Sequence, residues 1–402
     1  MKLQMRNIFF IAFAFAFCSG ILGIQALAGA HIIEVPTKSY LEGRSYADAP
    51  ELSVDRVFDK TFQDDMESYL SDGAPQRSKV LLATAFVQSK VIALATKPFG
   101  FNERHTYYGS DHAYSNRFDA VCKLPDKLSD ISREEVDRAT ATVNALIKHH
   151  PDVNWAFYLT DYISRSKASP VHDLIANSED YDFWYENFLS KLDNCTIYNG
   201  GYDDPEKYYE DYFHTDHHWK VKTAFAAYEQ IVEGFGKKPI DSGELLSTYS
   251  YGLWGSLARS GRSIWGAPDT IEDYLPPMDG ISIRRNGKEQ QISEICEGYS
   301  GKQYHKAATL SDVYAGYFHG DTACIELTND AIPDGSLLII GDSYTNNMER
   351  FFAGNYHYVC VIDPRRYKKD YDKLIEEHQF DDAVFIGCVS LMRNEDAMKN
   401  LA

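Results

Sequence analysis

The stretch "GSLLIIGDSYTNNMERFFAG" (335–354) decides the fold. It runs from an uninterrupted apolar segment, through Gly341-Asp342-Ser343, into a stretch of helical character. A strand with no polar alternation is one covered on both faces, as in sheets wrapped by helices. Two further apolar segments follow, "YHYVCVID" (356–363) and "DAVFIGCV" (382–389), separated by the helical pattern "YKKDYDKLIEEH" (367–378). Strands alternating with helices of this length imply right-handed crossovers and a parallel sheet. The expected fold is α/β, a three-layer α/β/α sandwich with a mainly parallel sheet.

The same alternation extends upstream to about residue 130. "SREEVDRATATVNALIKHH" (132–150) reads as a helix opened by a Ser132/Glu135 capping box, and "NWAFYLT" (154–160) as a strand. A helix is expected over 178–192, a strand at "CTIYN" (195–199) and a helix over 219–235. Residues 237–330, rich in Gly, Ser, Tyr and Trp, read as an irregular loop or β insertion. Residues 31–100 form a lead-in, with Phe62, Met66 and Tyr69 at helical spacing and a more buried helix over 77–96.

The first 30 residues have Lys2 and Arg6, then an apolar run from Ile8 to Ile24, then small residues around Ala28 and Ala30. That is the pattern of a secretory signal, with an uncleaved N-terminal anchor as the alternative. An extracytoplasmic location is expected either way. Removing this segment takes the formal charge from −19 to −21, since it holds two basic and no acidic residues. Such a surface repels nucleic acid, which is not an expected partner. Of the cysteines beyond the signal, Cys296 and Cys324 flank one irregular region and are the expected disulfide. Cys360 and Cys388 lie in apolar strands and are expected as buried thiols. No CxxC pair exists to build a structural zinc site.

Two segments carry candidate chemistry. Ser343 sits at the mouth of a buried strand, where ligands bind in open α/β sheets. Neighbouring backbone N–H groups there suit a developing negative charge, although Asp342 and Ser343 are also ordinary turn caps. The second segment is "FHTDHHW" (213–219). On an extended stretch Asp216 and His218 leave the same face, with His217 on the other. Asp216 would then orient His218 as a base for Ser343. His214, Asp216 and His218 equally make a three-ligand metal set, and a solvated polar loop is the plainest reading.

Together, the G-D-S turn and the D-x-H-W segment resemble the SGNH-hydrolase-like proteins of exopolysaccharide O-acetylation. In particular the chain looks like the bacterial DHHW family, related to alginate O-acetylation proteins. The likeness extends through "FQDDMESYLSDGAPQR" (62–77), "YGLWGSLARSG" (251–261) and "VYAGYFHGD" (313–321). It implies an SGNH-like α/β domain over 31–402 and an exported O-acetyltransferase or acetylesterase. Ser343 would be the nucleophile, His218 the base and Asp216 its orienter, with an acyl-serine intermediate and no metal or other cofactor. Asn346, Gly320 and Tyr314 are the implied substrate or oxyanion contacts. Asp321 stands where related sequences carry Asn, and Arg77 reads as an ion-pair anchor. The implied partners are a polysaccharide or other glycan substrate and a membrane-bound acyltransferase. A non-catalytic, glycan-binding relative using Trp254 and Trp265 is the alternative within the same fold.

Overall fold

The structure, a computed structural model, describes residues 12, 15–24, 27, 30, 32, 37–39, 41, 44–96, 105–108, 112–174, 178–262, 267–296, 298–299, 314–318 and 320–402. The chain divides into two compact units, residues 1–96 and 97–402.

The larger unit is built on one eight-stranded sheet. Its strands are β1 (Asn154–Thr160), β2 (Cys195–Gly200), β3 (Ile281–Arg285), β4 (Lys288–Gln290), β5 (Cys324–Asn329), β6 (Ser336–Gly341), β7 (Tyr358–Ile362) and β8 (Asp382–Cys388), in the spatial order β4-β3-β5-β7-β6-β8-β1-β2. The run β7-β6-β8-β1-β2 is parallel. β5, β3 and β4 extend it antiparallel at one edge.

Successive residues of the apolar strands serve opposite faces, as the pleat requires. Leu337, Ile339, Val359, Val361, Val384 and Ile386 pack with helix α2 (Val221–Gly234) through Val221, Phe225, Tyr228 and Ile231. Leu338, Ile340, Cys360, Ile362 and Phe385 pack on the other face, against Val136, Val143 and Ile147 of α1 (Asp130–His149) and Leu374 and Ile375 of α3 (Tyr371–His378). Burying each large apolar side chain contributes about 1.5–3 kcal/mol, so both faces need cover. The three layers are those expected.

Several details depart from expectation. Helix α1 starts earlier, capped by Ser129, whose Oγ accepts from Ser132 N at 3.2 Å. Ser132 Oγ instead donates to the buried Glu179, and Glu135 pairs with Arg393. The 178–192 segment is a shorter helix, Tyr181–Asn187, followed by a 3₁₀ turn over Leu189–Lys191. The region 237–330 is more ordered than its composition suggests. It supplies the antiparallel edge of the sheet and a separate ribbon, Leu246–Leu253 paired with Asp269–Leu275.

The expected Cys296–Cys324 disulfide is absent, because the two residues are held apart by different elements. Cys296 is buried with its Sγ 3.7 Å from Asp273 Oδ2, whereas Cys324 lies in β5 with its Sγ 3.8 Å from that of Cys360 in β7.

In the smaller unit, Asp72 ends the helix Thr61–Asp72 and accepts two hydrogen bonds from Arg44 at 2.6 and 2.7 Å. Arg77 lies 3.5 Å from the same carboxylate, the anchoring role its position suggested. The helix Arg77–Thr96 is less buried than expected: Val80, Phe86, Val87, Val91 and Leu94 are exposed. Much of the expected signal segment lies outside the described residues, and no described helix is long and apolar enough to cross a membrane.

Candidate active site

Strand β6 ends at Gly341, and its backbone explains that residue. A Cβ there would lie 2.3 Å from Thr345 Cγ2 and 2.5 Å from Ile386 O, so a side chain would force the turn off the sheet. Asp342 caps the 3₁₀ turn Ser343–Thr345, its Oδ1 accepting from Tyr344 N at 3.0 Å. Its Oδ2 accepts from Cys388 N at the end of β8. Ser343 is thus fixed at the carboxyl end of the central parallel strands.

The segment carrying the histidines is a bend rather than an extended stretch. Tyr212 and Trp219 form an antiparallel bridge, and Phe213 N donates to His218 O. A second aspartate, missed in the sequence, holds the bend from below. Asp269 accepts from the N–H of His214 and from both the N–H and the hydroxyl of Thr215. Trp219 is fully buried, and its Nε1 donates to Tyr344 O and Asn347 Oδ1, each at 3.1 Å. Trp219 therefore ties this bend to the serine turn.

Within the bend, Asp216 Oδ1 accepts from His218 N at 3.0 Å and lies 2.6 Å from His218 Nδ1. His218 Nε2 is 2.7 Å from Ser343 Oγ. One tautomer satisfies both contacts: Nδ1–H donates to Asp216, and Nε2 accepts from the serine hydroxyl. Burial alone would push the Asp216 carboxyl up. The adjacent His218 and His217, with hydrogen bonds from His218 and Ser256, instead hold it well below the usual carboxylate range.

Gly255 makes this possible. A Cβ there would stand 2.2 Å from Asp216 Cβ, and without one Ser256 N donates to Asp216 Oδ2 at 2.6 Å. The "WGS" string (254–256) carried this signal, but nothing in it named its partner.

His217 does not point away. Its ring centre lies 3.9 Å from that of His218, and its Nδ1 is 2.5 Å from Ser256 Oγ. The alternation expected of a strand fails because the backbone bends here. Partial burial and the neighbouring His218 push His217 down to about 3, so it is neutral at ordinary pH. His214 turns elsewhere, its Nδ1 2.8 Å from Phe118 O. The metal set read from alternation therefore does not assemble. Asp216, His217 and His218 instead bring ligand-capable atoms within 4.8 Å of one another, with both Asp216 oxygens already accepting hydrogen bonds.

Tyr314 is buried with its ring stacked on His218 at 3.8 Å and 7°, and its hydroxyl donates to Ser343 O at 3.4 Å. Asn346 closes the serine turn, its N–H donating to Ser343 O and its Nδ2 to Asp321 Oδ1 at 3.2 Å. Gly320 has φ +71°, and its N–H donates to Tyr317 O within its own turn. Trp254 is half-buried against the core, and Trp265 lies outside the described residues.

The DHHW protein family model matches residues 175–362, a span that holds the bend and the serine turn. The resemblance read in the sequence is borne out. Two solved structures share the fold. A DHHW family protein from Eubacterium siraeum is 17% identical, covers 74% of this chain and 98% of its own, and has a TM-score of 0.58. Bacillus cereus PatB1, carrying a sulfonyl adduct, is 19% identical over 69% of this chain and 95% of its own, with a TM-score of 0.55. No curated protein matches the chain.

Proposed function

We propose that this chain is an exported SGNH-like serine O-acetyltransferase or acetylesterase acting on a cell-surface polysaccharide. The observation that carries the reading is the unbroken chain Asp216 Oδ1–His218 Nδ1, His218 Nε2–Ser343 Oγ, at 2.6 and 2.7 Å. A serine hydroxyl becomes a useful nucleophile only when an oriented base takes its proton.

In this reading Ser343 Oγ attacks the ester carbonyl carbon as His218 Nε2 takes the hydroxyl proton. The tetrahedral oxyanion is held by the Ser343 N–H, which opens its turn and has no intrahelical partner, and by the Asn346 carboxamide. Its collapse breaks the ester C–O bond, and His218 returns the proton to the leaving oxygen. A sugar hydroxyl or water then attacks the acetyl carbon as His218 takes its proton, the bond from that carbon to Ser343 Oγ breaks, and His218 returns the proton to Oγ. Tyr314, stacked on the imidazole, limits its rotation between these steps.

Ser343→Ala is expected to abolish acetyl release from an activated acetyl ester, and a sulfonyl fluoride to modify Ser343 in the unaltered protein. Undiminished turnover by the variant would refute the reading. Adding an oligosaccharide acceptor distinguishes transfer from hydrolysis, through acetylated sugar in the product.

The cluster of Asp216, His217 and His218 favours one second reading, a metal-dependent hydrolase. Chelator treatment separates the two: the serine mechanism predicts unchanged turnover, the metal mechanism its loss.

A further inference from the structure

Asp321 stands in the segment from which the resemblance implies an oxyanion-binding asparagine, yet an ionised carboxylate has no proton to donate. Its surroundings give it a different task. Oδ1 accepts from Asn346 Nδ2 at 3.2 Å, and Oδ2 accepts from Arg365 Nη2 at 2.8 Å. Arg365 is itself fixed on Asp363, just beyond β7, through Nε at 2.8 Å and Nη2 at 2.7 Å. Asp363 N donates to Ala323 O, which ties that corner to the start of β5. Arg366 Nη2 lies farther off, 3.8 Å from the same Oδ2, so the carboxylate is held from one side chiefly by the Arg365 guanidinium and offered on the other to the Asn346 amide.

Two consequences bear on Asn346. Facing an acceptor-only group, its carboxamide must present Nδ2 rather than Oδ1, so one of its two possible orientations is removed. Asn346 also follows Ser343 by three residues in a 3₁₀ turn, where side chains at i and i+3 eclipse. With one N–H committed to Asp321, the amide keeps a second N–H that an oxyanion on the serine adduct would accept from. The Asp321 carboxylate also stands one amide away from the serine turn, through its contact with Asn346. Left uncompensated, that charge would oppose an oxyanion forming on the serine adduct.

We infer that Asp321 is a positioning residue that fixes the Asn346 carboxamide for the oxyanion, and that Arg365 neutralises the carboxylate so that it does not oppose the same charge. The inference rests on the serine reading above and adds two residues to it.

The test is steady-state turnover of an activated acetyl ester by the full chain. Asp321→Ala is expected to lower kcat about 10-fold with KM little changed, a fraction of what losing an oxyanion donor costs. Asp321→Asn keeps an acceptor for Asn346 and is expected to stay within about threefold of the unaltered enzyme. In an Asn346→Ala background, Asp321→Ala should have no further effect, which a merely structural role would not produce.

Arg365→Gln is expected to lower kcat about 10-fold, and adding Asp321→Asn to restore most of it, because no charge is then left to neutralise. If Arg365→Gln fails to fold, as loss of the Asp363 clamp could cause, the Asp321/Asn346 pair of variants still decides the matter. Equal kcat for Asp321→Ala and the unaltered enzyme, or additive losses with Asn346→Ala, would overturn the inference while Ser343 dependence stands. Turnover independent of Ser343 would instead overturn the serine reading beneath it.

Discussion

His217 and His218 are adjacent and chemically identical, yet their contacts divide their roles. His218 has both ring nitrogens engaged along the Asp216–Ser343 line, while His217 spends its Nδ1 on Ser256 and is held neutral by partial burial and its histidine neighbour. Asp216→Asn should therefore lower kcat by about 10³–10⁴-fold while leaving the fold intact, the loss expected when the base is left in the wrong tautomer. Gly255→Ala tests the same carboxylate from behind. The new methyl displaces Asp216, and about 100-fold in kcat is expected, as for an ångström of misplacement in a catalytic group. Both losses would be read as initial rates on one activated ester, with circular dichroism to confirm folding.

Among the elements, what was legible in the sequence is what has a strong local period. β1 was read at its observed ends, and β6, β7 and β8 were found because sustained apolar runs have no other comfortable place. The serine turn came with them. The helix starts were less legible, because Ser129 and Ser132 both look like caps and only the fold shows Glu179 claiming the second. Ser129→Ala should cost about 1 kcal/mol, the usual worth of a cap, measured by urea unfolding.

Of the contacts across the chain, the His218–Ser343 pair was legible through the chemistry of its two motifs, and the contacts that support it were not. The Asp269 support and the Gly255 approach join residues some 40 to 55 positions apart, and no periodicity records them. The misassigned disulfide has the same origin, since β5 places Cys324 beside Cys360 through pairing that the region's loop-like composition hides. Free cysteines predict that every thiol titrates in denatured protein without reductant.

For the whole molecule, buried titratable groups set the pH range of stability. Burial pushes Glu349 from an ordinary 4.5 up to about 8, only partly offset by Arg350 and Arg285. Across that window the folded state binds the proton more tightly than the unfolded chain, so stability falls as pH rises. His217 acts at the other end. Its depressed value means the unfolded chain binds the extra proton, so stability falls as pH drops from about 6.5 toward about 3. Glu349→Gln should flatten the alkaline limb of a plot of Tm against pH and leave the acid limb in place.

The line joining His218 to Ser343 spans 125 residues of chain, and Trp219 is buried against the serine turn where the two ends meet. On the proposed serine mechanism, ester turnover is consequently a clock for folding. It cannot return before β6 has found its neighbours and the bend has docked on it, so regained activity and the quenching or recovery of Trp219 emission should rise together. A refolding chain reports the completion of its core through its chemistry.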